Sequence, residues 1–231
     1  MYLTYNVKDY FDKIINFDNK SVLDFGCNHA NFLLGNQNFD SYTGLDIDKK
    51  ILETNLRLFP QHKWLWYKNY NWQYNPFIET DTIWPEVGRY DIGIAYSVFT
   101  HTDFLEFKNT ADILLKCCKK LFPTFLSTTN RENIKTVLSH RPEYFASDID
   151  NLVEIVYNKN NISILVAKES HQIHILEDMS SIPKASNTEY MLTFYNDNWI
   201  ADKLNGSVID VTQKFDGILG TQKCLKLFTA H

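Results

Sequence analysis

The stretch that decides the fold is SVLDFGCNHANF, residues 21–32. It begins with apolar residues that suit a buried strand, and then Asp24 is followed by Gly26, Asn28 and Ala30 at alternate positions. Glycine, asparagine and small side chains are favoured where a turn adopts left-handed backbone or passes close to a ligand. The stretch therefore predicts a β-strand followed by a loop whose backbone approaches a bound molecule.

Segments typical of strands and helices alternate along the first part of the chain. Helices are predicted over 48–58 and 104–121, the second with Asp103 and Glu106 as a capping box and with Pro123 ending it. Such alternation favours a parallel sheet that is covered on both faces and binds ligands at the carboxyl ends of its strands. The predicted strands are 21–25, 41–47, 63–67, 90–96 and 124–128.

Residues 131–190 depart from this alternation. Predicted strands over 152–157 and 162–168 flank an asparagine-rich turn, which is a hairpin signal, and 171–176 is predicted as a third strand. We expect a β-rich insertion that acts as a lid or serves a dimer, inside a single domain covering residues 1–231. A helix over 195–204 and strands over 208–214 and 222–228 are predicted to complete the fold.

Composition narrows the function classes. The 231 residues carry a formal net charge of −5 without a basic block, which disfavours a nucleic-acid partner. No apolar run reaches the roughly 18 residues of a membrane span, and the N-terminus lacks the pattern of a secretory signal. The four cysteines show no CxxC spacing, which favours free thiols in a reducing compartment. We expect a cytoplasmic protein, and the abundance of Asn, Lys, Ile, Tyr and Phe suggests an AT-rich bacterial genome.

Two acids end successive predicted strands. Asp46 lies 22 residues after Asp24, which is the spacing expected of an acid that accepts hydrogen bonds from ribose hydroxyls. The loop between the strands contains no lysine, which disfavours a phosphate ligand. The two carboxylates suit a ligand with a ribose and a positively charged part.

The motifs DFGCNHANF, YTGLDID and YDIGIAYSVFTHTD, within about residues 20–130, resemble those of class I S-adenosylmethionine-dependent methyltransferases. The resemblance implies a Rossmann-like α/β fold: a mostly parallel sheet flanked by helices, with an antiparallel last strand, here with the β-rich insertion. It also implies S-adenosylmethionine as cofactor and S-adenosylhomocysteine as product. The first motif of the family is usually D-x-G-x-G-x-G, and here Asn28 and Ala30 replace its second and third glycines.

The same resemblance implies roles for individual residues. Asp24 and Gly26 would lie by the methionine end of the cofactor, Asp46 would hold the ribose, and Asn69 would contact the adenine amine. Tyr96 and Ser97 would pass beside the methionine part. The implied cofactor-binding set is Asp24, Gly26, Cys27, Asn28, Asp46, Ile47, Asn69, Tyr96 and Ser97.

His101 follows the fourth predicted strand and is the candidate catalytic base. Its unperturbed pKa of about 6.5 suits removal of a proton from a hydroxyl acceptor, although a packing role is the alternative. His171 and His174 lack a clear third ligand, so no metal site is expected. Arg131, Arg141 and Lys168 are candidates for pairing with an anionic acceptor, with a solvated surface as the alternative. The aromatic residues between 64 and 74 are expected in the core, or in part on the adenine or the acceptor.

The sequence thus predicts O-methylation of a small hydroxylated or phosphorylated acceptor. A sugar, a sugar nucleotide or a capsule polysaccharide precursor is expected, because NWQYNP and SVFTH resemble members of bacterial surface-sugar pathways. Two alternatives stay open: a nicotinamide-dependent oxidoreductase on a Rossmann-like fold, and a non-catalytic binding protein that has lost its loop glycines. No nucleic-acid or membrane partner is expected, and a homodimer is left open.

Overall fold

The computed structural model consists of two compact units. The first unit contains residues 1–96, 112–122 and 228–231, and the second contains residues 97–111 and 123–227. The residues that the structure describes are 7–35, 37–68, 84–168, 170–177, 188–210 and 221–229. In this part of the chain, no helix combines the length and the apolar character needed to cross a membrane.

The first unit is built on a parallel sheet in the order β3-β2-β1-β4. The strands agree with the predicted ones to within a residue at each end: β1 (Ser21–Phe25), β2 (Ser41–Asp46), β3 (Lys63–Trp66) and β4 (Tyr90–Ala95). Two helices accompany them, α1 (Val7–Asp12) and α2 (Lys49–Leu58), and Asn31–Leu34 forms a short 3-10 turn. Asp48 caps α2 by accepting hydrogen bonds from the backbone of Lys50 and Ile51. Because β1 and β2 are parallel neighbours, the loops that follow them meet at one edge of the sheet.

The second unit mixes helices with a largely antiparallel sheet. Its strand β8 (Thr188–Tyr195) pairs in parallel with the end of β5 (Cys118–Ser127) and antiparallel with β6 (Asn161–Ala167), which in turn pairs antiparallel with β7 (Ile173–Glu177). The last strand, β10 (Gln222–Phe228), pairs antiparallel with β9 (Ser207–Ile209). The helices are α3 (Phe104–Cys117), which begins in this unit, α4 (Arg131–Ser139), α5 (Pro142–Phe145), α6 (Ile149–Val156) and α7 (Asp197–Lys203). The mostly parallel sheet, the flanking helices and the antiparallel last strands confirm the predicted fold class.

The β-rich character of residues 131–190 is confined to their second part. Residues 152–157 were predicted as a strand, and that prediction is wrong, because they lie largely within α6. Leu152, Val153 and Val156 are spaced for one helix face, and they are buried in the hydrophobic core of this unit. The asparagine-rich turn therefore connects a helix to a strand, and Asn158 takes the left-handed conformation (φ 62°) common after helix ends.

The boundary between α3 and β5 also differs from the prediction. The helix ends at Cys117 instead of residue 121, and Pro123 lies inside β5. Cys118 and Leu121 pack directly against Gly93 of β4, where a side chain on the glycine would collide with them. This close contact requires residues 118–121 to run as a strand, which the helical spacing of apolar residues did not reveal.

A substitution at Gly93 tests this contact. A Cβ at this position would lie 2.8 Å from the Cys118 sulfur and 2.9 Å from Leu121 Cδ1. We expect Gly93→Ala to lower the free energy of unfolding by about 1–3 kcal/mol, measured by urea denaturation. Gly88→Ala is the control, since its Cβ would meet nothing closer than 3.8 Å. Equal stability of the two variants would contradict the packing described.

Candidate functional site

The loop after β1 takes a series of left-handed backbone conformations. Gly26 has a φ of 73°, Asn28 of 45° and Ala30 of 57°. The backbone N–H groups of Gly26 and Cys27 both donate to the Leu45 carbonyl, at 2.7 and 3.2 Å, which folds the loop back over the end of β2. Gly26 and Asn28 are therefore residue types that tolerate the conformation of their positions, whereas Ala30 adopts it at an energetic cost.

Asp46 holds this loop in place with its carboxylate. Oδ2 accepts a hydrogen bond from the Asn28 backbone N–H at 2.8 Å, and Oδ1 accepts one from the Asp48 backbone N–H at 2.9 Å. The side chain is buried, and burial is the main reason why its pKa is raised despite these hydrogen bonds. Each carboxylate oxygen can accept more than one hydrogen bond, so the same group can also receive donors from a ligand.

Asn55 is a site residue that the sequence reasoning missed. It lies on α2, is fully buried, and its Nδ2 donates to the Asn28 carbonyl at 2.6 Å. The Asn28 residue is therefore held from two sides, at its N–H by Asp46 and at its C=O by Asn55. The available signal was an asparagine among the apolar residues of the inward face of α2.

Asp24 is the second acid of the candidate site and is buried more deeply than Asp46. It is 4% exposed, and the Tyr42 hydroxyl donates to its Oδ2 at 2.7 Å. Burial raises the pKa of Asp24 to about 7, the Tyr42 hydrogen bond opposes this shift, and the negative charge of Asp46 adds to it. A cation that entered here would be stabilised by both carboxylates, whereas a phosphate would be repelled.

Other predicted cofactor residues in this unit have structural contacts of their own. Burial raises the pKa of the Cys27 thiol well above its ordinary value, so this cysteine is held as a neutral thiol. The Ile47 carbonyl accepts a hydrogen bond from Trp66 Nε1 at 3.0 Å. The Tyr96 ring packs edge-on against Tyr10, with ring centroids 5.4 Å apart. Asn69, the predicted adenine contact, lies outside the described residues.

The described residues of the aromatic segment contribute to the core in part, because Trp66, which was expected there, is 39% exposed. Tyr67 is buried, and its ring lies 4.3 Å from that of Trp84 and 5.6 Å from that of Phe25. Trp64 packs against Gly44, where a Cβ would meet its ring at 2.4 Å. Trp72, Tyr70 and Tyr74 lie outside the described residues.

Ser97 belongs to the second unit, where it sits in a polar cluster. It has a φ of 58°, which is uncommon for a residue other than glycine. Its backbone N–H donates to Thr124 Oγ1 at 2.8 Å, and its Oγ accepts from Gln222 Nε2 at 3.0 Å. The turn after β4 is therefore held by side chains from β5 and β10.

His101 ends a 3-10 turn (Phe99–His101) in the same unit. Its Nδ1 lies 2.7 Å from the Met191 carbonyl oxygen, which can only accept, so Nδ1 carries the proton and Nε2 carries the lone pair. Burial lowers the pKa of His101 below its ordinary value, and the nearby positive charge of Arg141 lowers it further. The imidazole is therefore neutral near pH 7 and can accept a proton at Nε2.

The structure thus brings Asp24, Gly26, Cys27, Asn28, Asp46 and Ile47 together around one edge of the first unit. Ser97 and His101 belong to the second unit.

Comparisons with known proteins identify the architecture. No protein-family model matches the sequence, and no curated protein matches it. Among solved structures, the chain is similar to the glycopeptide N-methyltransferase MtfA, which was crystallised with S-adenosyl-L-homocysteine, at 7% identity and a TM-score of 0.53 over 97% of this chain and 89% of that one. A Methanosarcina mazei S-adenosylmethionine-dependent methyltransferase matches at 12% identity and a TM-score of 0.50 over 96% of both chains.

The fold is that of S-adenosylmethionine-dependent methyltransferases. The PH0226 protein of Pyrococcus horikoshii has it too, with 12% identity and a TM-score of 0.51 over 97% of this chain and 88% of that one. At these identities the similarity establishes the fold, and the assignment of an activity has to come from the side chains.

The raised pKa of Asp24 predicts a specific dependence of stability on pH. Because the pKa rises from 3.8 unfolded to about 7 folded, the native chain binds this proton more tightly, so this carboxyl lowers the free energy of unfolding progressively as pH rises from about 4 to about 7. Asp24→Asn keeps an acceptor for Tyr42 and removes the charge. We expect the variant to match the wild type near pH 4 and to exceed it by up to about 4 kcal/mol at pH 8, measured by chemical denaturation.

Asp91→Asn is the control of opposite sign. A hydrogen bond from Lys119 is the main reason why the pKa of Asp91 is lowered to about 2, so its charge stabilises the fold above about pH 4 and the variant should lose stability there. A difference between Asp24→Asn and the wild type that does not change with pH would show that Asp24 has an ordinary pKa.

Proposed function

We propose that this protein is an S-adenosylmethionine-dependent methyltransferase that acts on a small hydroxylated or phosphorylated acceptor. The observation that carries the proposal is the left-handed loop held by Asp46, with Asp24 buried nearby. The fold alone would allow other nucleotide-like ligands. The chemistry of these two acids is what favours S-adenosylmethionine among them.

The described side chains fit this cofactor better than a nicotinamide dinucleotide. The hydrogen-bond donors to Asp24 and Asp46 are a hydroxyl and backbone N–H groups, all of them neutral. Two buried carboxylates repel a pyrophosphate, whereas they stabilise a sulfonium and an ammonium group. Asp46 would accept hydrogen bonds from the ribose hydroxyls, and Asp24 and the Gly26–Asn28 backbone would line the methionine end.

When bound, the cofactor would supply a methyl group on a positively charged sulfur, and S-adenosylhomocysteine would be left after its transfer to the acceptor oxygen. In this proposal His101 Nε2 would take up the proton of the acceptor hydroxyl. Neutral His101 suits an acceptor that must lose a proton, as a hydroxyl does in the O-methylation proposed here. The pattern of the sequence further favours a sugar, a sugar nucleotide or a capsule precursor as acceptor, in a cytoplasmic bacterial enzyme.

Calorimetric titration with S-adenosylhomocysteine tests the cofactor assignment. We expect saturable binding to the wild type and a loss of about 10–100-fold in affinity in Asp46→Asn, because an amide nitrogen would face a backbone N–H and one charged acceptor is lost. Asp48→Asn is the matched control: it removes the same charge two residues away, and asparagine caps helices well. We expect its affinity to stay within about threefold of wild type.

Two results would contradict the assignment. Saturable binding of a nicotinamide dinucleotide without binding of S-adenosylhomocysteine would favour an oxidoreductase. Binding of neither ligand would favour a protein that has the fold without the activity.

Substitution of His101 tests the role of base. His101→Asn keeps a donor in the place of Nδ1 for the Met191 carbonyl and removes the basic nitrogen. We expect S-adenosylhomocysteine affinity near wild type and a turnover at least about a hundredfold lower. Because the pKa of His101 is lowered, the acid limb of the wild-type kcat/KM profile should lie below pH 6.5.

His101→Ala separates the base from a packing role. A base is lost in both variants, so both should be equally slow. Wild-type turnover in His101→Asn together with slow turnover in His101→Ala would mean that only the bond to Met191 matters.

A further inference from the structure

Two arginines of the second unit, Arg131 at the start of α4 and Arg141 directly before α5, differ in the partners of their guanidinium groups. Arg131 pairs with Glu154 through two hydrogen bonds, from Nε at 2.8 Å and from Nη2 at 3.0 Å. Its guanidinium also lies 3.5 Å from the centre of the Tyr157 ring. The planar guanidinium of Arg131 is therefore already bound to a carboxylate through two hydrogen bonds, which is the geometry that arginine prefers.

Arg141 makes a much weaker ion pair. Its Nη1 lies 3.7 Å from a Glu143 carboxylate oxygen, beyond hydrogen-bond distance, and both side chains are 50% exposed. Its guanidinium lies 5.1 Å from the centre of the Tyr190 ring. Contact with an aromatic residue restricts the guanidinium and leaves N–H donors for another acceptor.

Tyr190 links Arg141 to His101. Its ring lies 5.8 Å from the imidazole of His101, edge to face, and 5.7 Å from the stacked ring of Tyr144. The next residue on β8, Met191, provides the carbonyl that fixes the His101 tautomer. One strand end therefore positions both the neutral histidine and the arginine.

The positive charge of Arg141 influences the protonation of His101. The positive charge of Arg141 acts on His101, which burial already disfavours in its charged form. An anionic group bound to Arg141 would neutralise this charge and make His101 a stronger base. The same arrangement would place a negatively charged compound near the His101 imidazole.

We propose that Arg141 binds the methyl acceptor through a carboxylate or phosphate group, beside His101. The acceptor is then a hydroxylated compound that carries an oxyanion. The proposal rests on the proposed function for the identity of the ligand as acceptor, while the oxyanion site itself rests on the geometry of Arg141, Tyr190 and His101.

The test is an NMR titration of the full chain with inorganic phosphate, and separately with acetate, following the His101 imidazole. The His101 signal is assigned by its absence in His101→Asn. We expect saturable shifts in the wild type and in Arg131→Gln, and binding at least about tenfold weaker in Arg141→Gln, since charge-assisted hydrogen bonds are lost. The anion that binds more tightly indicates whether the acceptor carries a phosphate or a carboxylate.

A second readout on the same samples distinguishes binding from a structural effect. Without added anion, the pKa of His101 should rise in Arg141→Gln, because a neighbouring positive charge is removed, and stay unchanged in Arg131→Gln. In the wild type, phosphate should raise the pKa of His101, and in Arg141→Gln it should not.

The outcomes separate this proposal from the proposed function. Equal anion affinity in Arg141→Gln and wild type, or no saturation in the wild type, would overturn the role of Arg141 even if S-adenosylhomocysteine binds. Anion binding through Arg141 in a chain that does not bind S-adenosylhomocysteine would support the oxyanion site and reject the methyltransferase.

Discussion

The hydrogen bond from the Asn28 backbone to the Asp46 carboxylate is the constraint on which the candidate site depends. It joins the loop after the first strand to the end of the second, so that both strand ends form one surface. Left-handed conformations at residues other than glycine cost about 1–3 kcal/mol each, and asparagine pays less than most. A hydrogen bond to a charged acceptor contributes about 1.5–3 kcal/mol, which is comparable to the cost at Asn28. Asn55 adds a second bond to the same residue, and the loop thereby keeps its shape without two of the usual glycines.

Burial dominates the electrostatics of the two acids in the first unit. Burial raises the pKa of both Asp46 and Asp24, so each is less stable as an anion than an exposed acid would be. A positively charged ligand would relieve this cost, and a ribose would supply hydroxyl donors to the oxygens of Asp46. The site is therefore better matched to a sulfonium nucleoside than to a phosphate-rich cofactor, for reasons that are independent of the fold comparison.

The sequence predicted the first unit well, because its signals are local. Strands β1, β2 and β4 are short apolar runs that end in turn residues, and the capping residue Asp48 stands directly before its helix. In the second unit the Asp103 carboxylate accepts the Glu106 backbone N–H at 2.7 Å, which is one of the two hydrogen bonds of the predicted capping box. The sequence also placed Asp24 and Asp46 at adjacent strand ends, from their spacing alone.

The predictions that depended on distant contacts were incomplete. The apolar residues of 152–156 are spaced as in a helix, but the asparagine-rich turn that follows them suggested a strand. The strand at 118–122 is fixed by packing on Gly93. The bond between His101 and Met191 joins residues 90 positions apart, so no local pattern reveals it. The pair of hydrogen bonds at Asn28 likewise depends on Asn55, which lies on a separate helix. Whether residues 131–190 form a lid, and whether the chain is one domain, remain predictions.

A crystal structure of the protein grown with S-adenosylhomocysteine tests the central claim most directly. The account predicts that the Asp46 carboxylate accepts hydrogen bonds from both ribose hydroxyls while it still receives the Asn28 backbone N–H. A crevice filled by side chains, or a ligand bound elsewhere with Asp46 turned away from it, would contradict the account.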